Sequence, residues 1–225
     1  MAGRRPLTAI EERKLLKVTR RLSPRDRAFI TAQWLMGYRL SETLRLRIGD
    51  IFRDGEIVDK VGIAPRNMKG GFGRTRWVPV LPELHRALES YLGWLRRRII
   101  IHPDLPLFDS RVAHADGTPK AIGRERARLI IKRAFAKAGI FDDGRLGSHS
   151  FRKCWAMHVY KNSGNCILTC KAALNHSSVE VTQAYLSVEE EDVVRAIRGC
   201  DFTRKPRAIP VKAPAKVEGF SVVAA

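Results

Sequence analysis

The sequence lacks the features that mark secreted and membrane proteins. Its four cysteines form no CxxC pair, and no set of carboxylates, histidines and cysteines has the spacing of metal ligands. Its apolar runs are as short as Ile99–Ile101, whereas a membrane-spanning helix needs about 20 apolar residues. No apolar signal segment precedes the charged pair Glu11 and Glu12. We therefore expect a cytoplasmic protein with reduced thiols, no bound metal and no membrane segment.

Acidic residues are also scarce, and this shortage is informative. The chain has 23 Asp and Glu against 42 Lys and Arg, which gives a formal net charge of +19. Folding does not require such an imbalance, because like charges repel one another in the compact state. The charge therefore predicts a polyanionic partner, which is DNA, RNA or an acidic membrane surface.

The hydrophobic and capping patterns predict a chain that is mainly α-helical. Thr8 and Ser23 have the features of N-caps, and Gly37 can end the second helix in the left-handed conformation. Apolar residues then recur at helical spacing over about 83–101 and about 123–138. Most of the remaining chain, to about residue 198, has the same helical character.

Residues 48–80 differ from this pattern. They contain short runs of β-branched residues, an Asp54-Gly55 turn and a glycine-rich turn, which predict a small antiparallel sheet. The fold class is therefore α+β. We assign residues 1–202 to one domain and residues 203–225 to a tail, which is either flexible or docked on a neighbouring subunit.

Four polar residues stand in local settings suited to binding a phosphate. Arg39 lies in a short break between two helices, beside the N-terminus of the second, where anions are favoured. Lys69 lies at the tip of the glycine-rich hairpin, where a backbone can approach another chain closely. His149 and Arg152 are three residues apart, so a helix would place them on one face. Each is also compatible with an ordinary exposed side chain.

His176 and Tyr185 complete the set. On one unbroken helix, nine residues would place them on opposite faces. However, Asn175 can end a helix in the left-handed region, and Ser177 to Glu180 form a capping box that starts another. A bend at this point is therefore predicted to bring the imidazole and the phenol to the same side.

Taken in order, these residues resemble the phage-integrase family of tyrosine recombinases. The resemblance covers about residues 7–200. Gly37-x-Arg39-x-x-Glu42 is similar to the family's first arginine box, and Met68 to Val80 to its lysine hairpin. His149-x-x-Arg152 is similar to the second arginine box. Leu174-x-His176 with Thr182 and Tyr185 is similar to the last box.

The resemblance implies a catalytic domain that cleaves and rejoins DNA through a 3′-phosphotyrosine. It implies that Tyr185 attacks the scissile phosphate, that Arg39 and Arg152 bind its non-bridging oxygens, and that His176 donates a third hydrogen bond. His149 accepts a proton near Tyr185, and Lys69 protonates the leaving 5′ oxygen. The implied reaction is site-specific recombination without ATP, metal or other cofactor.

The resemblance also implies partners and a setting. The main partner is double-stranded DNA, bound by a homo-oligomer that forms a tetramer on paired sites, with an accessory DNA-bending protein as a further candidate. A bacterial or phage origin and association with the nucleoid are expected. Predicted DNA contacts, for which a solvated surface is the alternative, are Arg45, Arg47, Arg74, Arg76, Arg96, Arg124 and Lys153.

The sequence departs from the family in three respects. Lys153 stands where histidine is frequent, and Asn175 stands where glycine is usual. The separate helical domain with which most members clasp DNA is not matched, so strand exchange is a less direct expectation than cleavage. A non-catalytic DNA-binding protein derived from a recombinase and a type IB topoisomerase remain alternatives, followed by a basic RNA-binding protein.

Overall fold

The computed structural model describes residues 4–65, 75–110, 112–183, 185–186, 194 and 198. Lys69, Arg74 and the tail at 203–225 lie outside the described residues. The chain divides into two compact units, Met1–Ser187 and Val188–Ala225. The assignment of residues 203–225 as a tail stays a prediction.

The first unit is mainly helical, as predicted. Its helices are α1 (Ala9–Thr19), α2 (Pro24–Leu35), α3 (Leu40–Thr43), α4 (Ile48–Ile51), α5 (Pro82–Arg96), α6 (Arg124–Lys137), α7 (Ser148–Asn162), α8 (Ile167–Leu174) and α9 (Val179–Gln183). Its strands are β1 (Phe52–Arg53), β2 (Glu56–Ile57), β3 (Lys60–Ile63) and β4 (Arg76–Pro79). In the part of the chain that the structure describes, no helix combines the length and the apolar character needed to cross a bilayer.

The predicted helix caps are confirmed at the start of the chain. Thr8 and Glu11 form a reciprocal capping box at the start of α1, and the Ser23 side chain accepts from the Asp26 amide at the start of α2. Gly37 follows the C-cap of α2 with a φ of 60°, a conformation that glycine adopts without strain. The chain thus turns sharply just before Arg39.

The strands form two antiparallel ribbons rather than one sheet. β1 pairs with β2, and β3 pairs with β4 in a register that sets Val61 opposite Val78. Residues 48–51, which we expected to begin the sheet, form the short helix α4. The reason is a local cap, because the Asp50 carboxylate accepts a hydrogen bond from the Arg47 amide.

The core of the first unit forms where α2 packs against α5 and α7. The helical spacing of α5 is confirmed by the burial of Leu84, Leu88 and Tyr91. The helix ends at Arg96 rather than near 101, and Ile100 beyond it is 93% exposed. These contacts leave the C-terminus of α2 and the N-terminus of α7 close together, where the polar residues of the site lie.

The segment before α1 is fixed to the start of α7. The Arg4 guanidinium donates to the carbonyls of Gly144 and Leu146 at 2.6 and 2.8 Å. Farther along, the Leu7 amide donates to the Cys154 thiol at 3.1 Å. The chain therefore enters the fold beside the N-terminus of α7.

Replacing Gly37 with alanine is expected to destabilise the protein by about 3 kcal/mol, measured by urea unfolding. The positive φ is strained for alanine, and its Cβ would overlap the Trp155 indole. The matched control is Gly93 in α5, where a Cβ meets nothing within 4 Å and alanine should be neutral or stabilising. Equal effects at the two positions would show that neither the strain nor the overlap matters.

Candidate active site

Of the six predicted catalytic residues, the structure brings three into mutual contact, Arg152, His176 and Tyr185, and places two more, Arg39 and His149, in one recess. Arg152 lies in the second turn of α7, His176 follows α8, and Tyr185 follows α9. Arg39 is the N-cap of α3, and with His149 it lines one recess. The sixth residue, Lys69, is outside the described residues.

Arg152 is the centre of this arrangement. It is only 1% exposed, and its guanidinium donates to the Gly37 carbonyl and, at 2.9 Å, to the Leu174 carbonyl. It therefore joins the end of α2 to the end of α8. Burial, followed by repulsion from Arg76 and Arg39, lowers the pKa of Arg152 to about 10.

His176 is held through both ring nitrogens. Its Nε2 lies 3.2 Å from an Arg152 amino group, and its Nδ1 lies 3.1 Å from the Thr182 hydroxyl. That hydroxyl donates its one proton to the Ser178 carbonyl, so Nδ1 carries the ring proton and Nε2 accepts from Arg152. In this state Nε2 has no proton to give to a phosphate, and donation requires either the Nε2–H tautomer or a protonated ring.

Tyr185 lies on the same side as His176, so the predicted bend is confirmed. Asn175 ends α8 in the left-handed region with φ and ψ of 51°, and the two rings are then 4.9 Å apart. The predicted cap at Ser177 is wrong by one residue, because it is the Ser178 hydroxyl that accepts from the Val181 amide, and Val181 cannot complete a reciprocal capping box. The Arg152 guanidinium lies 5.6 Å from the centre of the Tyr185 ring.

Arg39 is positioned by Glu42, a residue whose role was not predicted. The buried Glu42 carboxylate accepts from the Arg39 amide at 2.7 Å and from its guanidinium at 2.8 Å. Burial is the largest influence and acts to raise the pKa of Glu42, but Arg76 and the bonds from Arg39 outweigh it, so this pKa is lowered. The Arg-x-x-Glu spacing of a capping box was the available sequence signal.

His149 remains in contact with solvent at the start of α7. Partial desolvation, together with the positive charges of Arg152 and Arg39, lowers the pKa of this histidine. A neutral imidazole at neutral pH is the form that can accept a proton.

A basic recess of about 250 Å³ opens beside these residues. It contains two of the predicted catalytic residues and one predicted DNA contact. Its charged and titratable lining residues are Arg4, Arg39, Arg124, Arg128, Lys132 and His149.

The other predicted DNA contacts differ in their surroundings. Arg45 is exposed, Arg47 pairs with Asp104 at 3.4 Å, and the Arg96 guanidinium lies 4.5 Å from the centre of the Phe52 ring. Lys153 is half-buried, and burial followed by repulsion from Arg145 lowers its pKa.

Arg76 is where the structure disagrees with its predicted role as a DNA contact. The residue is 6% exposed, and its guanidinium pairs with the buried Glu42 carboxylate at 3.0 Å. The cause is strand alternation, since Arg76 occupies the same buried face of β4 as Val78. Its charge is therefore directed into the site rather than toward solvent.

No group of three or more histidine, cysteine, aspartate or glutamate side chains suited to a metal occurs among the described residues. The charged groups that converge on the site are cationic, apart from Glu42. The arrangement can therefore bind an anionic group next to a phenol, with one imidazole protonated only at low pH and another available as a base.

The pKa of His176 predicts a specific acid sensitivity. Burial, followed by the charges of Arg152 and Arg39, lowers this pKa from 6.5 to about 4. Below pH 6.5 the unfolded chain takes up a proton that the folded protein resists, so stability falls by roughly 2–3 kcal/mol between pH 6.5 and 4. Urea unfolding should show a flatter profile for His176→Gln over this range. His114→Gln, in an exposed loop, should follow the wild type, and parallel profiles for all three proteins would contradict the assignment.

Comparison with known proteins agrees with this geometry. The Phage integrase family model matches residues 5–192. The tyrosine recombinase XerA of Pyrococcus furiosus is 30% identical over 192 residues, which cover 85% of this chain and 60% of that protein. XerD of Bifidobacterium longum is 27% identical over 184 residues, covering 82% and 55%.

Solved structures show the same fold. The crystal structure of XerA recombinase superimposes with a TM-score of 0.66 at 22% identity and covers 87% of this chain and 63% of that one. The XerH site-specific recombinase bound to palindromic difH substrate in a post-cleavage complex also gives 0.66, at 20% identity, covering 88% and 53%. The chain thus spans 55–60% of the length of the two curated relatives named above.

Proposed function

Because the chain belongs to the phage integrase family, we propose that it is a site-specific recombinase that cleaves and rejoins double-stranded DNA. The Tyr185 hydroxyl oxygen attacks the scissile phosphorus and forms a phosphotyrosine at the 3′ end. The bond from phosphorus to the 5′ oxygen breaks at the same step. A 5′-hydroxyl reverses the reaction, and the phosphotyrosine conserves the bond energy, so ATP is not needed.

The observation that carries this proposal is a cluster of buried cations beside Tyr185: the Arg152 guanidinium lies 5.6 Å from the centre of its ring, and Arg76 donates to the same Leu174 carbonyl as Arg152. Burial, followed by the charges of Arg152, Arg39 and Arg76, lowers the pKa of His176, and burial, followed by the charges of Arg76 and Arg39, lowers that of Arg152. This mutual repulsion is relieved by an anion bound among these groups. A site arranged in advance for developing negative charge is the largest source of rate enhancement in reactions of this type.

The proton transfers are proposed from the family resemblance, and the pKa shifts of the two histidines are consistent with them. His149, with its lowered pKa, is a base for the Tyr185 proton. The approach of a phosphate raises the pKa of His176, so this ring gains the proton that lets Nε2 donate to a non-bridging oxygen. Arg152 and Arg39 bind the same oxygens, and Lys69 supplies the proton to the leaving 5′ oxygen.

Binding and assembly are part of the proposal. The basic recess beside the site is suited to the DNA backbone, which is recognised mainly through its phosphates. We further propose a homo-oligomer, a tetramer on paired sites, of bacterial or phage origin and associated with the nucleoid, with an accessory DNA-bending protein as an optional partner.

The proposal is tested by capturing the covalent complex. The protein is incubated with a pool of nicked duplexes of randomised sequence, and species that survive denaturant are isolated and sequenced. We expect a protein–DNA adduct at one recurring sequence, attached through the DNA 3′ end, with equal yield in EDTA and in Mg²⁺. Binding with no adduct would favour a DNA-binding protein without cleavage activity, and adducts without sequence preference would favour a topoisomerase.

Phosphate contacts are expected to dominate DNA affinity. The logarithm of the binding constant should fall with the logarithm of salt concentration, by about 0.9 for each phosphate neutralised. The double variant Arg124→Gln and Lys132→Gln removes two charges from the recess and should flatten this slope by about 1.8. Arg86→Gln, an exposed residue of α5 paired with Glu83, is the control that should leave the slope unchanged. If the double variant also keeps the wild-type slope, the recess does not hold DNA.

A further inference from the structure

We propose that Arg76 is a positioning residue for DNA cleavage, which fixes Glu42 so that Glu42 can aim Arg39 at the scissile phosphate. The inference rests on the proposed function. It concerns a side chain that is buried and therefore acts on the reaction through its neighbours rather than by touching DNA.

The first part of the argument is the sharing of one carboxylate. Glu42 is fully buried, and its Oε1 accepts from the Arg39 guanidinium at 2.8 Å. Its Oε2 accepts from the Arg39 amide at 2.7 Å and from Arg76 at 3.0 Å. Among the described residues, the charged partners in contact with this carboxylate are Arg39 and Arg76. Removing Arg76 therefore leaves Arg39 as its one charged partner there. The direction of the Arg39 guanidinium would then depend on a carboxylate that is held by Arg39 alone.

The second part is the sharing of one carbonyl. A second amino group of Arg76 donates to the Leu174 oxygen at 3.3 Å, and Arg152 donates to the same oxygen at 2.9 Å. Leu174 is the last residue of α8, and His176 follows two residues later. Arg76 therefore contacts, at one end, the carboxylate that holds Arg39 and, at the other, the carbonyl that holds Arg152.

The third part is that Arg76 itself is fixed by the element that carries it. Its guanidinium carbon lies 4.4 Å from the centre of the Tyr38 ring. The Tyr38 hydroxyl donates to the Val61 carbonyl at 2.8 Å, and Val61 pairs with Val78 across the β3–β4 ribbon. The Arg76 guanidinium is thus held between the β3–β4 ribbon, which carries it, and the ring of Tyr38, which immediately precedes Arg39.

A gain in folding stability does not explain why a charged side chain stands at position 76. Burial is the main cause of the lowered pKa of Arg152 and of His176, and repulsion from Arg76 adds to it. Buried ion pairs are also frequently no more stabilising than apolar residues of the same size. What a guanidinium offers here, and an apolar side chain does not, is a fixed direction for two acceptors at once.

The test is the preference for one phosphorothioate diastereomer at the scissile phosphate, because Rp and Sp substrates place sulfur at different non-bridging positions. Arg76→Met should slow single-turnover cleavage about 10²-fold, as a misplaced group does, with DNA affinity unchanged. It should also shift the Rp/Sp rate ratio about fivefold or more, in the direction seen for Arg39→Met. Arg76→Lys, which keeps the charge but not the fork, should shift the ratio less and provides a variant that folds if methionine does not.

The matched control is Arg25, another buried arginine, which pairs with Asp26 at 3.0 Å and donates to the Asp109 carbonyl at 2.9 Å away from the site. Arg25→Met should lower stability but keep the wild-type Rp/Sp ratio. If Arg76→Met is slow and also keeps the wild-type ratio, Arg76 is merely structural and the inference is wrong.

A second measurement separates this inference from the proposed function. The guanidinium Nε–H signal of Arg39 in NMR spectra should be sharp in the wild type and in Arg25→Met, and broadened in Arg76→Met. An unchanged Arg39 signal in Arg76→Met would overturn the inference even if the wild type formed no covalent DNA complex. Failure of the wild type to form that complex would instead refute the cleavage function.

Discussion

Replacing Tyr185 with phenylalanine is expected to abolish the covalent DNA complex and to leave DNA affinity within about twofold of the wild type. The ring contacts to His176 at 4.9 Å and to the Arg152 guanidinium at 5.6 Å do not involve the hydroxyl, so the site should keep its shape. Only the nucleophilic oxygen is removed. Denaturing gels report the adduct, and gel shifts under native conditions report binding.

The matched control for this experiment is Tyr160→Phe. Tyr160 packs against the same small apolar cluster as Tyr185, at the end of α7, and its substitution should leave the adduct yield unchanged. A Tyr185→Phe protein that still forms a complex resistant to denaturant would show that another residue is the nucleophile.

The second large effect is expected at Lys69, whose match to the family hairpin implies the general acid. Lys69→Ala should cleave ordinary DNA about 10²–10⁴-fold more slowly. An alkoxide leaves poorly without a proton, whereas a thiolate, whose thiol has a pKa of about 8.5, leaves unaided. The variant should therefore be largely rescued on DNA that carries sulfur at the 5′-bridging position of the scissile phosphate.

Arg39→Ala is the control for this rescue. Its proposed contacts are with the non-bridging oxygens, so a better leaving group does not replace them. If Lys69→Ala remains equally slow on both substrates, Lys69 positions or binds DNA and the acid lies elsewhere. Comparable rescue of Arg39→Ala would show that the sulfur substrate bypasses more than the proton transfer.

Features of the fold encoded in adjacent residues could be predicted from the sequence. The caps at Thr8 and Ser23, the left-handed turns at Gly37 and Asn175, and the bend before Tyr185 each depend on a few neighbouring side chains. Their local energies are large enough to fix the backbone, since a cap or an unfavourable φ is worth about 1 kcal/mol or more.

Features that depend on residues distant in sequence could not be predicted in the same way. Arg152 donates to a carbonyl of Gly37, 115 residues away, and no local pattern encodes that contact. The burial of Arg76 could in part be predicted from the sequence, because strand alternation places Arg76 on the same face as Val78. Its partner Glu42 lies 34 residues away in the chain, so no local pattern shows that the charge is paired inside the protein.

The attachment of the first residues to α7 has a practical consequence for experiments on this protein. Arg4 is held by the Gly144 and Leu146 carbonyls and also lines the basic recess. An affinity tag joined ahead of Arg4 is therefore attached close to the recess that we propose for DNA. Tags in this position should be removed before affinity is measured. A small fluorophore coupled there should change its emission when DNA arrives.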